Sequence, residues 1–215
     1  IATSVSRRHE LLGWATEVPG RYIIEDDYDS EFRYKGKPIP ALQGMDQTGS
    51  VVYMGTFSKA IAPAIRVGYM VLPESLLSVY RKKGRFYSST VSRVDQRILA
   101  NFISGGYFER HLNRMREIYK GKHDVLLGAL KPLEKRFEIK GEYAGLHVLL
   151  TDRKGEAEQA LLAKAEEKKV RVYGLSGFCM EERRAKESHT IVLGYAGLTE
   201  EEIRKGVELL REALE

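Results

Sequence analysis

The chain has 215 residues, 43% of them hydrophobic and 30% charged, with a formal net charge of +5 and a pI near 9.1. That length supports one large domain or two small ones, and a charge this modest and mixed in sign does not by itself establish nucleic-acid binding. One cysteine, Cys179, excludes an internal disulfide framework and cannot alone make a zinc site, and no apolar run approaches a membrane span or a secretory signal, so a cytoplasmic protein is expected.

The segment "SRRHELLGWATEV" carries apolar residues at helical spacing behind a capping candidate, Ser6, and Pro19-Gly20 ends it. The chain starts at Ile1 and enters this helix at once, which suggests a piece of a longer polypeptide. A strand follows, "RYIIEDD", then a Gly- and Pro-rich loop, a second strand, "SVVYMGT", and, beyond a lysine-containing segment, a third, "RVGYMVLP". Short continuous apolar runs joined by longer connections read as buried parallel strands of an α/β sheet, whose ligand sites lie beyond the carboxyl ends of the strands. Helices are expected over "ESLLSVYRKKG", "VDQRILANFISGG" and a long stretch from Tyr107 in which Phe108, Leu112, Met115, Ile118 and Tyr119 mark an apolar stripe that ends near Pro132. The remainder alternates strands ("FEIKG", "GLHVLLT", "VRVYG", "HTIVLGYA") with two helices, the last opening on Thr199 and Glu202 in capping-box spacing. The expected division is therefore residues 1–105, an α/β part, and residues 106–215, a connecting helix with a small α+β part.

Two segments could carry chemistry. In "IIEDDYDSEF", Asp26 and Tyr28 are two positions apart at a strand end and leave the same face, where they suit one ligand, such as a protonated heteroaromatic nitrogen, or else cap a turn. In "MGTFSKAIAPAIR", Thr56 and Ser58 lie just past a strand end, Arg66 can add a bidentate contact to a phosphate, and Lys59 can reach a carbonyl carbon held by the same grip. A lysine that forms a Schiff base must lose its proton, which partial burial and nearby cationic charge promote. Pro63 argues against one continuous helix from Lys59 to Arg66, so a loop is expected to bring Arg66 back. The five histidines show no metal-ligand spacing, so no metal site is read. Arg110, Arg114, Arg116, Lys120 and Lys122 on the long helix read as a solvated face ahead of a DNA-contacting one.

Together, "IIEDDYDSEF" and "VVYMGTFSKAIAPAIRVGYMVLP" resemble the aminotransferase-like domain of MocR-type regulators, a branch of the GntR-type bacterial transcription factors built on fold-type I pyridoxal-phosphate enzymes. The resemblance covers essentially the whole chain. It implies the carboxyl-terminal part of the large aspartate-aminotransferase-like domain plus the small α+β domain. It also implies a Schiff base between Lys59 and pyridoxal 5'-phosphate in the full-length protein, Asp26 on the pyridine nitrogen, Tyr28 on the phenolic oxygen, and Thr56, Ser58 and Arg66 on the phosphate. A homodimer, an amino acid or amine effector, and DNA contact through a winged-helix domain outside this chain are implied as well.

Two departures from that family shape the expectation. The DNA-binding element and the first half of the aminotransferase-like domain are not in this sequence, so this fragment alone is expected to bind the cofactor weakly or not at all. The arginine that grips a substrate carboxylate, carried by the strand before the last helix, is matched to Gly197, and its loss removes about 1.5 to 3 kcal/mol of charge-assisted binding. Arg183 or Arg184 could substitute from a charged loop. Little or no turnover is therefore expected of a sensing region, with a fragment of a working aminotransferase as the alternative and a structural dimerisation module as a third reading.

Overall fold

In the computed structural model, which describes residues 3–28, 30–34, 36, 39–141, 143–180 and 188–215, the chain divides into two compact units. One holds Ala2–Glu31 and Lys37–Met115, the other Phe32–Gly36 and Arg116–Glu215.

The first unit is built on a three-stranded sheet in the order β1-β2-β3: β1 (Ile23–Asp27), β2 (Val51–Thr56) and β3 (Gly68–Val71). Helix α1 (Val5–Glu17) precedes it and is capped by Ser4, whose side chain accepts from the Arg7 N–H, and not by Ser6. The loop after β1 contains a single helical turn, α2 (Leu42–Met45), that no periodicity announces. Strands β1 and β2 are parallel, with Ile23 opposite Val51 and Asp27 opposite Gly55. Strand β3 departs from the expectation of buried parallel strands: it runs antiparallel to β2 and is exposed along its length. The reason lies in the connection. Between Thr56 and Gly68 the chain makes only the one-turn helix α3 (Phe57–Ala60) and a 3-10 turn at Pro63–Ile65, too little for the crossover that a parallel neighbour requires. Gly55 admits the ring of Tyr69 from β3, which any Cβ there would strike. Helices α4 (Glu74–Gly84), α5 (Arg93–Ser104) and the start of α6 (Tyr107–Leu130) complete this unit.

The second unit is an antiparallel sheet in the order β4-β5-β7-β6, formed by β4 (Phe137–Lys140), β5 (His147–Asp152), β6 (Tyr173–Gly174) and β7 (Thr190–Gly194). Val148 and Leu150 of β5 stand opposite Leu193 and Ile191 of β7. They share a buried cluster with Leu126 and Leu130 of α6, Leu161 and Ala165 of α7 (Glu158–Glu167), and Ile203, Val207, Leu210 and Leu214 of α8 (Glu200–Leu214). The α8 residues recur at the spacing of one helical face, and Thr199 with Glu202 closes the capping box at its start. The chain leaves α6 through a 3-10 turn at Lys131–Lys135 that contains Pro132. Buried Asp152 accepts from Arg136 Nε at 2.9 Å and from the Glu156 N–H at 2.8 Å, while Arg136 also reaches Glu156 and the Leu214 carbonyl. Buried Glu158 ties Ser176 to Ser188 by accepting from both hydroxyls.

No helix among the described residues is long and apolar enough to cross a membrane, and no group of three metal-ligating side chains converges among them.

Candidate functional site

Parallel pairing of β1 with β2 brings their carboxyl ends side by side, and all six residues singled out in the sequence lie at or just beyond those ends in the first unit. Along β1 exposure alternates: Glu25 and Asp27 are half-buried, Asp26 is exposed, and Tyr28, just past the strand, is exposed too. Asp26 shares its sheet face with Met54 and Met70, its register neighbours across β2 and β3.

The acidic run thus splits into two roles. The carboxylate of Asp27 accepts from the Tyr53 hydroxyl at 2.8 Å and from the Ser30 N–H at 3.3 Å, so the turn-capping role belongs to Asp27. Asp26 makes no hydrogen bond or ion pair among the described residues. Glu25 accepts from Arg8 Nη1 at 2.9 Å and from the backbone N–H groups of Leu42 and Gln43 at 2.8 and 3.0 Å.

At the end of β2, Thr56 caps α3: its hydroxyl accepts from the Ser58 N–H and donates to the Val67 carbonyl, which also accepts from the Phe57 N–H. The chain therefore closes back on Thr56 one residue after Arg66, the return that Pro63 led us to expect. Because the Thr56 proton is directed at Val67, this hydroxyl holds the loop together before it holds any ligand. Arg66 is exposed and takes a left-handed conformation, φ 49° and ψ 33°, which an L-residue adopts at a cost of about 1–2 kcal/mol. Such strain concentrates where a side chain must be aimed.

Lys59 is exposed, contrary to the partial burial expected of a Schiff-base amine. The single turn of α3 buries Ala60 (1% exposed), and a residue one position earlier on a helix is rotated away from that buried side. Among the described residues neither Lys59 nor Arg66 has a hydrogen-bond or ion-pair partner.

The donor set suits one class of ligand. An unengaged carboxylate, a phenol, the Ser58 hydroxyl, a lysine and an arginine together match a phosphorylated heteroaromatic aldehyde: opposite charge for a ring nitrogen, a donor for a ring oxygen, cations for a phosphate, and an amine for the carbonyl carbon. Sequence reasoning missed Arg8, Glu25 and Tyr53, which act on the opposite sheet face: Arg8 holds Glu25, and Tyr53 holds Asp27, the residues on either side of Asp26. The triplet "EDD" inside an apolar strand carried the only available signal, since a half-buried carboxylate demands a partner.

Gly197 does not occupy the strand before the last helix. That strand is β7, and Gly197 falls in the turn after it with open space where its side chain would be. The residues of β7 are Thr190, Ile191, Val192, Leu193 and Gly194, so the strand carries no arginine. Arg183 and Arg184 lie outside the described residues.

Residues 19–210 match the family model for aminotransferase class I and II. The chain is 41% identical over 211 residues to the HTH-type transcriptional regulator YdeL of Bacillus subtilis, which covers 98% of this chain and 45% of the regulator. It is 34% identical over 193 residues to the probable rhizopine catabolism regulatory protein MocR of Rhizobium meliloti, covering 89% of this chain and 38% of that protein. The multiple substrate aminotransferase of Thermococcus profundus superposes with a TM-score of 0.85 at 29% identity over 100% of this chain and 52% of its own. The chain thus spans about half the length of the proteins it matches or less. Its fold is that of the α/β pyridoxal-phosphate aminotransferases, and the chain belongs to the aminotransferase class I and II family.

Proposed function

We propose that this chain is the cofactor-binding, effector-sensing region of a bacterial MocR-type transcriptional regulator. The observation that carries this reading is the pairing of 41% identity to an HTH-type regulator with a strand, β7, that offers no arginine for a substrate carboxylate. The cofactor is pyridoxal 5'-phosphate, whose protonated ring supplies an electron sink to an amine joined to its aldehyde carbon. Asp26 holds the proton on the ring nitrogen, Tyr28 donates to the ring oxygen, Ser58 and Arg66 bind the phosphate with Thr56 fixing their loop, and Lys59 supplies the amine. Without an arginine on β7, an incoming amino acid lacks one bidentate anchor, so this site favours sensing the cofactor or a weakly held amine over turnover. The full regulator acts as a homodimer and contacts DNA through a winged-helix domain.

The test uses the full-length protein. Visible absorption from covalently held pyridoxal phosphate is expected in the wild type and lost in Lys59→Ala. Retention of the same band in that variant would sink the assignment of Lys59. Rapid conversion of an amino acid to its keto acid would instead favour the aminotransferase reading.

A further inference from the structure

The half-buried face of β1 carries charge that the cofactor-facing side does not use. Glu25 and Asp27 are two residues apart on that face, and Tyr53 stands directly across from Glu25 on β2. Arg8 and Glu25 form an ion pair whose side chains are only 13% and 10% exposed, and Arg8 also donates to the Pro40 carbonyl at 3.0 Å. Through Glu25, then, β1 is pinned to helix α1 and to the first turn of α2. Through Asp27 it is pinned to β2 and to the turn that follows Tyr28. The Tyr53 phenol is pushed well above its ordinary pKa by burial and by its bond to Asp27, so near neutrality it stays protonated and donates. These bonds bracket Asp26 on both sides along the chain, and a strand fixed at positions i−1 and i+1 leaves the side chain at i little freedom of direction.

We infer that Arg8–Glu25 and Tyr53–Asp27 are a two-point clamp of positioning residues that aims Asp26 and Tyr28 at the ring of the bound cofactor. The inference rests on the reading of Asp26 and Tyr28 given above. Each bond in the clamp joins a carboxylate to a partly buried donor, the class of hydrogen bond whose loss is felt most. Losing one point lets the strand end rotate, and Asp26 then stands off the ring nitrogen even though its own side chain is intact.

The experiment compares full-length wild type, Tyr53→Phe, Glu25→Gln, Arg8→Lys, Arg8→Met, Asp26→Asn and Lys59→Ala. For each, pyridoxal-phosphate affinity, the pH midpoint of the bound-cofactor spectrum and the thermal midpoint of the cofactor-free protein are measured. Tyr53→Phe and Glu25→Gln are expected to weaken affinity about tenfold, equivalent to one clamp bond of about 1.4 kcal/mol. Both should move the spectral midpoint in the direction that Asp26→Asn moves it, and Arg8→Lys should recover part of what Arg8→Met loses. Clamp variants that melt earlier yet keep wild-type affinity and spectral midpoint would make these bonds structural only and overturn the inference, leaving the proposed function intact. A wild type that forms no Lys59-dependent band overturns both. If Glu25→Gln does not fold, Tyr53→Phe decides, because it removes one hydroxyl and keeps the ring volume.

Discussion

The two units solve the same packing problem to different degrees. The second closes its own core: Phe137, Val148, Leu150, Leu161 and Ile191 are fully buried, and helices α6, α7 and α8 supply the rest of the cluster. The first leaves much of its apolar surface open. Ile24 is 67% exposed and Met70 50%, both on the sheet face that carries Asp26, and most of the exposed large apolar side chains among the described residues, from Val5 to Tyr107, belong to this unit. The two units differ in how far each closes on itself. The finished unit gains stability from burial, whereas the unit with the candidate site keeps charged and apolar groups uncovered at its strand ends, as a ligand-facing surface requires.

This contrast can be broken most strongly at Asp152. Its carboxyl is pushed up by burial, but hydrogen bonds from Arg136 and the Glu156 N–H outweigh that and hold it below its ordinary value of 3.8. A folded-state pKa that is depressed contributes stability fully present above the unfolded value and lost as pH falls through the folded one. Asp152→Ala should therefore cost about 3–5 kcal/mol near neutrality by leaving the Arg136 charge unpaired. It should also flatten the acid limb of stability below about pH 4. Urea unfolding followed by circular dichroism across pH measures both, and an unchanged acid limb would refute the role given to this pair.

A smaller effect sharpens the comparison directly. Leu150→Ala, in the closed core, should destabilise by about 2–5 kcal/mol, and Ile24→Ala, on the open face, by about 0.5 kcal/mol or less. Comparable losses at the two positions would mean that the Ile24 face is covered in solution. A change of the opposite sign is expected at Arg66: Arg66→Gly relieves left-handed strain and should raise stability by about 1 kcal/mol. It should also weaken pyridoxal-phosphate binding. A gain in melting temperature with no loss of affinity would remove Arg66 from the site.

Local pattern made a large part of this legible. Helical spacing located α4, α5, α6 and α8, the Thr199–Glu202 box marked where α8 begins, and Pro63 indicated the broken path that returns Arg66. The motif residues were legible because their chemistry requires particular side chains at fixed intervals along the chain. Other features were not, because they depend on partners distant in sequence. Tyr53 is 26 residues from Asp27, and only the pairing of β1 with β2 brings its hydroxyl to that carboxylate, while Asp26 makes no bond among the described residues. The placement of Phe32–Gly36 in the second unit follows from Phe32 being fully buried and from Tyr34 and Gly145 exchanging backbone bonds with the opposing segments. Local order along the chain presents the side chains that suit the proposed chemistry. The tertiary structure alone decided the direction of β3, the exposure of Lys59 and which carboxylate stays available, since burial and hydrogen-bond satisfaction are settled between segments and not within them.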